Sequence, residues 1–145
     1  MPTVYASTLI PASIERVWTT IRDFNALPTW HPLIAQSRIE GYKTVDQVGC
    51  IRAFRLKDGD SIREQLLALS DFEYSLTYSI LESPMPVTNY LARIQLMPLT
   101  DSNSTFAEWS AEFSCPSDQT TTLVELVEKR VFQGGLTALK ERFGG

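Results

Sequence analysis

One histidine and two cysteines are all that this 145-residue chain offers to a soft metal ion. His31 stands far along the sequence from both Cys50 and Cys115, so no ligand cluster can be read and no metal or cofactor is expected. A Ser-His-Asp or Cys-His triad would have to use His31. The two cysteines fall in different strand-like segments, and buried free thiols are expected rather than a disulfide. Clusters of basic residues are absent too. The 13 Lys and Arg are scattered among 17 Asp and Glu, for a net charge of -4, so no nucleic acid is expected as partner. No stretch approaches the roughly 18 apolar residues of a membrane span. The first residues carry no charged-then-apolar pattern, so the expected location is the cytoplasm, in a bacterium.

What remains is ordinary in amount and informative in order. Hydrophobic residues make up 43% of the chain and charged residues 21%, the balance of a packed globular protein. No repeat, low-complexity segment or linker divides it, so one domain over residues 1–145 is expected.

A first strand reads over residues 3–10, stopped by Pro11. Ser13 can cap a short helix whose stripe is Ile14, Val17, Trp18 and Ile21. Pro28 and Pro32 then make an irregular turn, or a single helical turn, around Trp30-His31. Strand-like segments follow over 34–42, 48–56, 61–70, 72–81, 89–99 and 105–113. In the fourth of these, Phe72, Tyr74, Leu76, Tyr78 and Ile80 share a face. A closing helix starts near Gln119, with a stripe of Leu123, Val124, Val127, Val131, Leu139 and Phe143.

The turn at Lys57-Asp58-Gly59-Asp60 can close in two ways. A two-residue loop pairs Arg55 with Ile62; a three-residue loop with Gly59 left-handed pairs Leu56 with Asp60, and hence Arg52 with Glu64. The second register is preferred because it gathers Val48, Cys50, Phe54, Ile62, Leu66 and Ala68 on one face. It also puts Arg52 beside Glu64 on that apolar face. A lone buried charge costs several kcal/mol, so the two are expected either to pair as an internal salt bridge or to meet a polar ligand.

Tyr74, Tyr78, Tyr90 and Trp109 fall on inward faces as well. They read as an aromatic core, or as walls of an apolar cavity with a few directed hydrogen bonds. Gly134-Gly135 sits inside the closing helix, where each glycine costs roughly 1 kcal/mol against alanine. Close packing on the sheet and a bend over a cavity mouth are the two readings.

The chain resembles the SRPBCC, or START-like, helix-grip superfamily. The resemblance rests on Pro11 to Trp18, on Asp23-Phe24 with Leu27, Trp30, His31 and Pro32, and on Gly49, Arg52, Asp58-Gly59, Glu64 and Asp71. Tyr78, Pro84, Tyr90, Trp109 and Phe113 extend it toward the polyketide cyclase/dehydrase-like branch. It implies an α+β fold: about seven curved antiparallel strands wrapped around a long C-terminal helix, with a short helical segment between strands 1 and 2. It also implies a hydrophobic ligand site between sheet and helix. Members include polyketide cyclases, lipid-transfer domains, pollen allergens and abscisic-acid receptors, so fold alone does not choose among activities.

Three readings of function follow. The first is binding of a small hydrophobic or amphipathic ligand, polyketide-, lipid- or terpenoid-like, by Trp30, Arg52, Glu64, Tyr78, Tyr90, Trp109, Gly134 and Gly135. The second is a cyclase or dehydratase with His31 or Glu64 as acid-base and Arg52 stabilising an enolate. A non-catalytic stress-response or interaction protein is the third. Either a monomer or a homodimer is compatible with the sequence.

Overall fold

The computed structural model describes residues 1–144. Seven strands form one antiparallel sheet: β1 Thr3–Ile10, β2 Ile34–Ile39, β3 Ile51–Leu56, β4 Ser61–Ser70, β5 Ser75–Glu82, β6 Thr88–Leu99 and β7 Ser104–Ser114. Their order is β1-β7-β6-β5-β4-β3-β2. Strands β2 to β7 follow as a meander, and β1 returns to pair with β7. The first two strands therefore lie at opposite edges. The connection between them, with α1 (Ile14–Ile21) and α2 (Leu27–Trp30), has to cross the sheet's width. Sheet and terminal helix together make the expected helix-grip fold.

Helix α1 buries the stripe expected of it: Ile14, Val17, Trp18 and Ile21. Ser13 occupies the cap position with extended backbone, but its side chain makes no capping hydrogen bond. The Trp18 indole donates to Asp71 Oδ1 at 2.7 Å, and Arg22 Nε donates to the same oxygen at 2.8 Å. These contacts tie α1 to the turn between β4 and β5.

That turn corrects one expectation. Phe72 is not part of a strand; it projects from turn residues 71–74 and is 94% exposed. Tyr74, at φ 55°, turns the chain into β5 and packs edge-on against Trp18. Two further residues leave the inward face. Val48 precedes β3 in a turn closed by the Cys50 N–H on the Gln47 carbonyl, and is exposed. Ala68 is exposed because the β4–β5 pairing passes from Leu66–Tyr78 to Ala68–Thr77, an extra residue at Leu67 that reverses the alternation.

The preferred hairpin register is the one formed. Leu56 N–H donates to the Asp60 carbonyl at 2.8 Å, Gly59 sits at φ 102°, and Arg52 pairs across from Glu64. On the opposite face Arg63 binds Glu40 at 2.7 Å and Glu82 at 3.1 Å.

The closing helix has three parts. α3 (Thr120–Glu125) runs into a π-helical stretch, Leu126–Gln133, and then into α4 (Gly134–Arg142). Its buried residues are Leu123, Val127, Phe132, Leu136 and Leu139, together with Gly135. The interval from Val127 to Phe132 is five residues, one more than an α-helical stripe allows; it marks the wider turn. Val124, Val131 and Phe143, expected on the stripe, are only half-buried. Phe132 and Leu136 take the core positions instead.

Candidate functional site

Strands β3 and β4 set Arg52 and Glu64 side by side in the interior, at 5% and 6% exposure. Arg52 Nε and Nη2 both donate to Glu64 Oε1, at 2.9 and 2.7 Å. Nη1 donates to the Phe24 carbonyl at 3.2 Å. The guanidinium carbon lies 3.9 Å from the centre of the Phe24 ring and 4.9 Å from that of Tyr78, so aromatic faces cover the charge. Burial pushes the Glu64 carboxyl above the ordinary carboxylate range, and Arg52 opposes that rise. Among the described residues no donor meets Glu64 Oε2.

A second group forms around Trp109 of β7. Its indole stacks on Phe132 of the terminal helix with ring centres 4.5 Å apart, and meets Trp30 at 5.8 Å and His31 at 6.1 Å. Its Nε1 donates to the Tyr78 hydroxyl at 3.0 Å. Burial raises the Tyr78 and Tyr90 hydroxyls above the ordinary tyrosine value, and the nearby Glu64 adds to both shifts. Both tyrosines therefore stay protonated. Tyr90 stacks on Phe113, and its hydroxyl has no hydrogen-bond partner among the described residues.

His31 is fixed at both nitrogens by main chain. Nε2 lies 2.7 Å from the Val131 carbonyl, which can only accept, so Nε2 carries the proton. Nδ1 then accepts the Leu33 N–H at 3.2 Å. Burial, with the positive charge of Arg52 adding to it, lowers the imidazole below its ordinary value; the Val131 bond opposes this. The ring is a neutral bridge between α2 and the π-helical stretch.

Gly135 makes that bridge possible. A Cβ there would lie 2.7 Å from His31 Cδ2 and 2.9 Å from Trp109 Cζ3, ring atoms already packed on each other. At Gly134 a Cβ would meet only the Lys129 carbonyl, at an ordinary 3.6 Å. The adjacent glycines therefore predict opposite outcomes in urea denaturation. Gly134→Ala stabilises by up to about 1 kcal/mol through helix propensity. Gly135→Ala loses more than it gains, since overpacking costs about 1–3 kcal/mol. Equal effects at the two positions would reject the close approach as the reason for Gly135.

Between sheet and helix lies a cavity of about 400 Å³. Arg52, Glu64, Tyr78, Tyr90, Trp109 and His31 all line it. Trp30, Gly134 and Gly135 do not; Trp30 and Gly135 pack against Trp109 and His31, and Gly134 meets neither. The exposed lining residues are Lys57, Asp58 and Asp60 of the β3–β4 turn, Pro84 after β5, and Arg130 of the terminal helix. They mark the mouth. Met85, Leu126 and Val131, half-buried, line the wall between mouth and interior. None of these was singled out as a site residue from sequence. The sequence carried no signal for Leu126 or Arg130, since Val131 continues a regular stripe from Val127 and the five-residue interval shows only in which residues are buried.

Comparison with known proteins adds family to geometry. A family described as polyketide cyclase / dehydrase and lipid transport matches residues 1–144. The chain is 37% identical to the protein XoxI from Bacillus cereus, covering 99% of this chain and 96% of that one, with a TM-score of 0.87. An uncharacterized protein from Bacillus thuringiensis is 36% identical over 98% of both chains, with a TM-score of 0.86. The Zhui aromatase/cyclase from Streptomyces sp. R1128 shares the fold at a TM-score of 0.82, over 97% of this chain and 92% of that one, with 15% identity. No curated protein matches the sequence. A full-length family match and two relatives above a third identity point the same way: the chain belongs to the polyketide cyclase / dehydrase and lipid transport family.

Proposed function

We propose that the chain binds a small, largely apolar ligand in the cavity between sheet and terminal helix. One observation carries the reading. Buried polar groups (Arg52, Glu64, Tyr78 and Tyr90) line one cavity of about 400 Å³ together with exposed residues that give it a mouth. Pockets of roughly 300–1,000 Å³ with apolar walls and a few placed polar groups are the usual form of a small-molecule site. The lipid-transport part of the family description agrees with such a role. Polyketide-, lipid- and terpenoid-like molecules all fit apolar walls of this kind.

Binding is favoured over turnover by the state of His31. An acid-base role asks for a nitrogen free to reach substrate, and here both nitrogens are held by Val131 and Leu33. Arg52 spends Nε and Nη2 on Glu64 Oε1 and Nη1 on the Phe24 carbonyl rather than aiming them at an enolate.

Native mass spectrometry of the gently purified protein tests the reading, with Ile80→Trp as the partner experiment. Ile80 lines the cavity half-buried, so a tryptophan there can fill space and still shed strain toward the mouth. Wild type is expected to carry a small-molecule adduct or to take up an apolar fluorescent probe such as anilinonaphthalene sulfonate. Ile80→Trp, folded by circular dichroism, is expected to lose both. Wild type that binds neither, or undiminished binding in Ile80→Trp, would reject the proposal.

A further inference from the structure

The polar inventory of the cavity is uneven. Glu64 uses only Oε1 toward Arg52, and Oε2 has no donor among the described residues. Oε2 is also not among the fully enclosed side-chain atoms that lack a partner, and Glu64 lines the cavity, so this oxygen faces the open space. The Tyr78 hydroxyl accepts from Trp109 Nε1, and its own proton is left without an acceptor. Tyr90 brings a second hydroxyl with no partner. Glu64 at 2.7 Å and the Tyr78 ring at 4.9 Å flank the same Arg52 guanidinium, and Tyr90 lines the same cavity, which puts the three groups in one neighbourhood. The cavity thus holds a strong acceptor beside hydroxyls that can donate.

Charge narrows the choice further. Arg52 and Glu64 already neutralise each other at 2.7 Å. A ligand carboxylate would place a second anion beside Glu64, on a guanidinium shared with the Phe24 carbonyl. A ligand ammonium would bring an uncompensated positive charge next to Arg52 in an apolar site. An ether or ketone can accept from a tyrosine but leaves Oε2 unpaired, which is the costly arrangement. A hydroxyl serves both sides and adds no charge.

We infer that the buried end of the ligand is a neutral hydroxyl, a phenol or an alcohol, donating to Glu64 Oε2 and accepting from Tyr78 or Tyr90. The inference rests on the ligand-binding reading above and gives it a chemical polarity. Arg52 in this arrangement positions Glu64 rather than gripping an acidic ligand.

Four probes on one ring system test it by isothermal titration at neutral pH: 2-naphthol, 2-methoxynaphthalene, 2-naphthoate and 2-naphthylmethylamine. 2-Naphthol is expected to bind at least about tenfold more tightly than each of the others, the worth of one hydrogen bond to a charged acceptor. In Glu64→Gln the Arg52 donors hold the amide oxygen, which turns the amide N–H₂ toward the cavity. The lead of 2-naphthol over 2-methoxynaphthalene should then be lost, because both oxygens can accept from that amide. Equal affinities in wild type, or a lead for naphthoate or the amine, would overturn the hydroxyl inference while leaving the pocket intact. Failure of all four to bind would overturn both. The wild-type ranking decides the matter even if Glu64→Gln does not fold.

Discussion

Glu64→Ala is expected to destabilise the fold by about 3–5 kcal/mol, because it strands a guanidinium in the interior. Some relief remains. Arg52 keeps the Phe24 carbonyl and the faces of Phe24 and Tyr78, which places the expected loss nearer to about 3 kcal/mol. The reciprocal change behaves differently. Arg52→Ala leaves a carboxyl, and a carboxyl can escape burial by taking up a proton. Burial already raises Glu64, and without Arg52 nothing opposes the rise. The folded variant then holds a proton that the unfolded chain releases near the ordinary value of 4.5. Its stability should fall as pH rises from there, and its deficit against wild type should shrink on acidification. Replacing both partners, as in Arg52→Met with Glu64→Leu, should cost little or even stabilise. Urea denaturation of the four proteins across pH checks the set. Additive losses in the double variant would mean that the two charges are not acting as a pair.

Trp109→Ala is the second large effect, at about 3–5 kcal/mol for a fully buried aromatic. Its weight comes from position. The indole is the surface on which Phe132 of the terminal helix rests, and on its other contacts lie Trp30 and His31. Removing it separates the helix from the sheet where the two elements meet behind the cavity. Trp109→Phe keeps a ring for the stack and forfeits the hydrogen bond to Tyr78, so about 1 kcal/mol is the expected loss. Thermal unfolding of both variants tests the ordering. A phenylalanine as damaging as alanine would move the emphasis from stacking to the hydrogen bond.

The sequence carried the fold further than the site. Register in the β3–β4 hairpin was legible because Gly59 allows a left-handed residue and only one register segregates polar from apolar side chains. Arg52 and Glu64 became neighbours by that argument alone. Ala68 was lost at Leu67, where one extra residue in β4 reverses the alternation without a glycine or proline to announce it. Phe72 looked like strand because tyrosines and a leucine follow it at period two, yet Asp71 is drawn toward Trp18 and Arg22 and the chain turns there. The mouth was illegible for another reason. Lys57, Pro84 and Arg130 come from three separate parts of the chain, and only the folded sheet brings them around one opening. Trp30 and Gly135 face other side chains rather than the cavity, and for Gly135 this is the close packing on the sheet, one of the two readings its place in the helix allowed.

The extra residue in the terminal helix has a last consequence. An α-helix advances about 100° per residue, so a one-residue insertion rotates everything beyond it by more than a quarter turn. The two halves of the rod are thus out of phase. The turn from Leu126 to Val131 can look into the cavity while Phe132, Leu136 and Leu139 are still delivered to the core. A helix in strict phase has one apolar side to offer. This one serves two addressees with a single length of chain, and the Val131 carbonyl that His31 holds lies where the change of phase occurs.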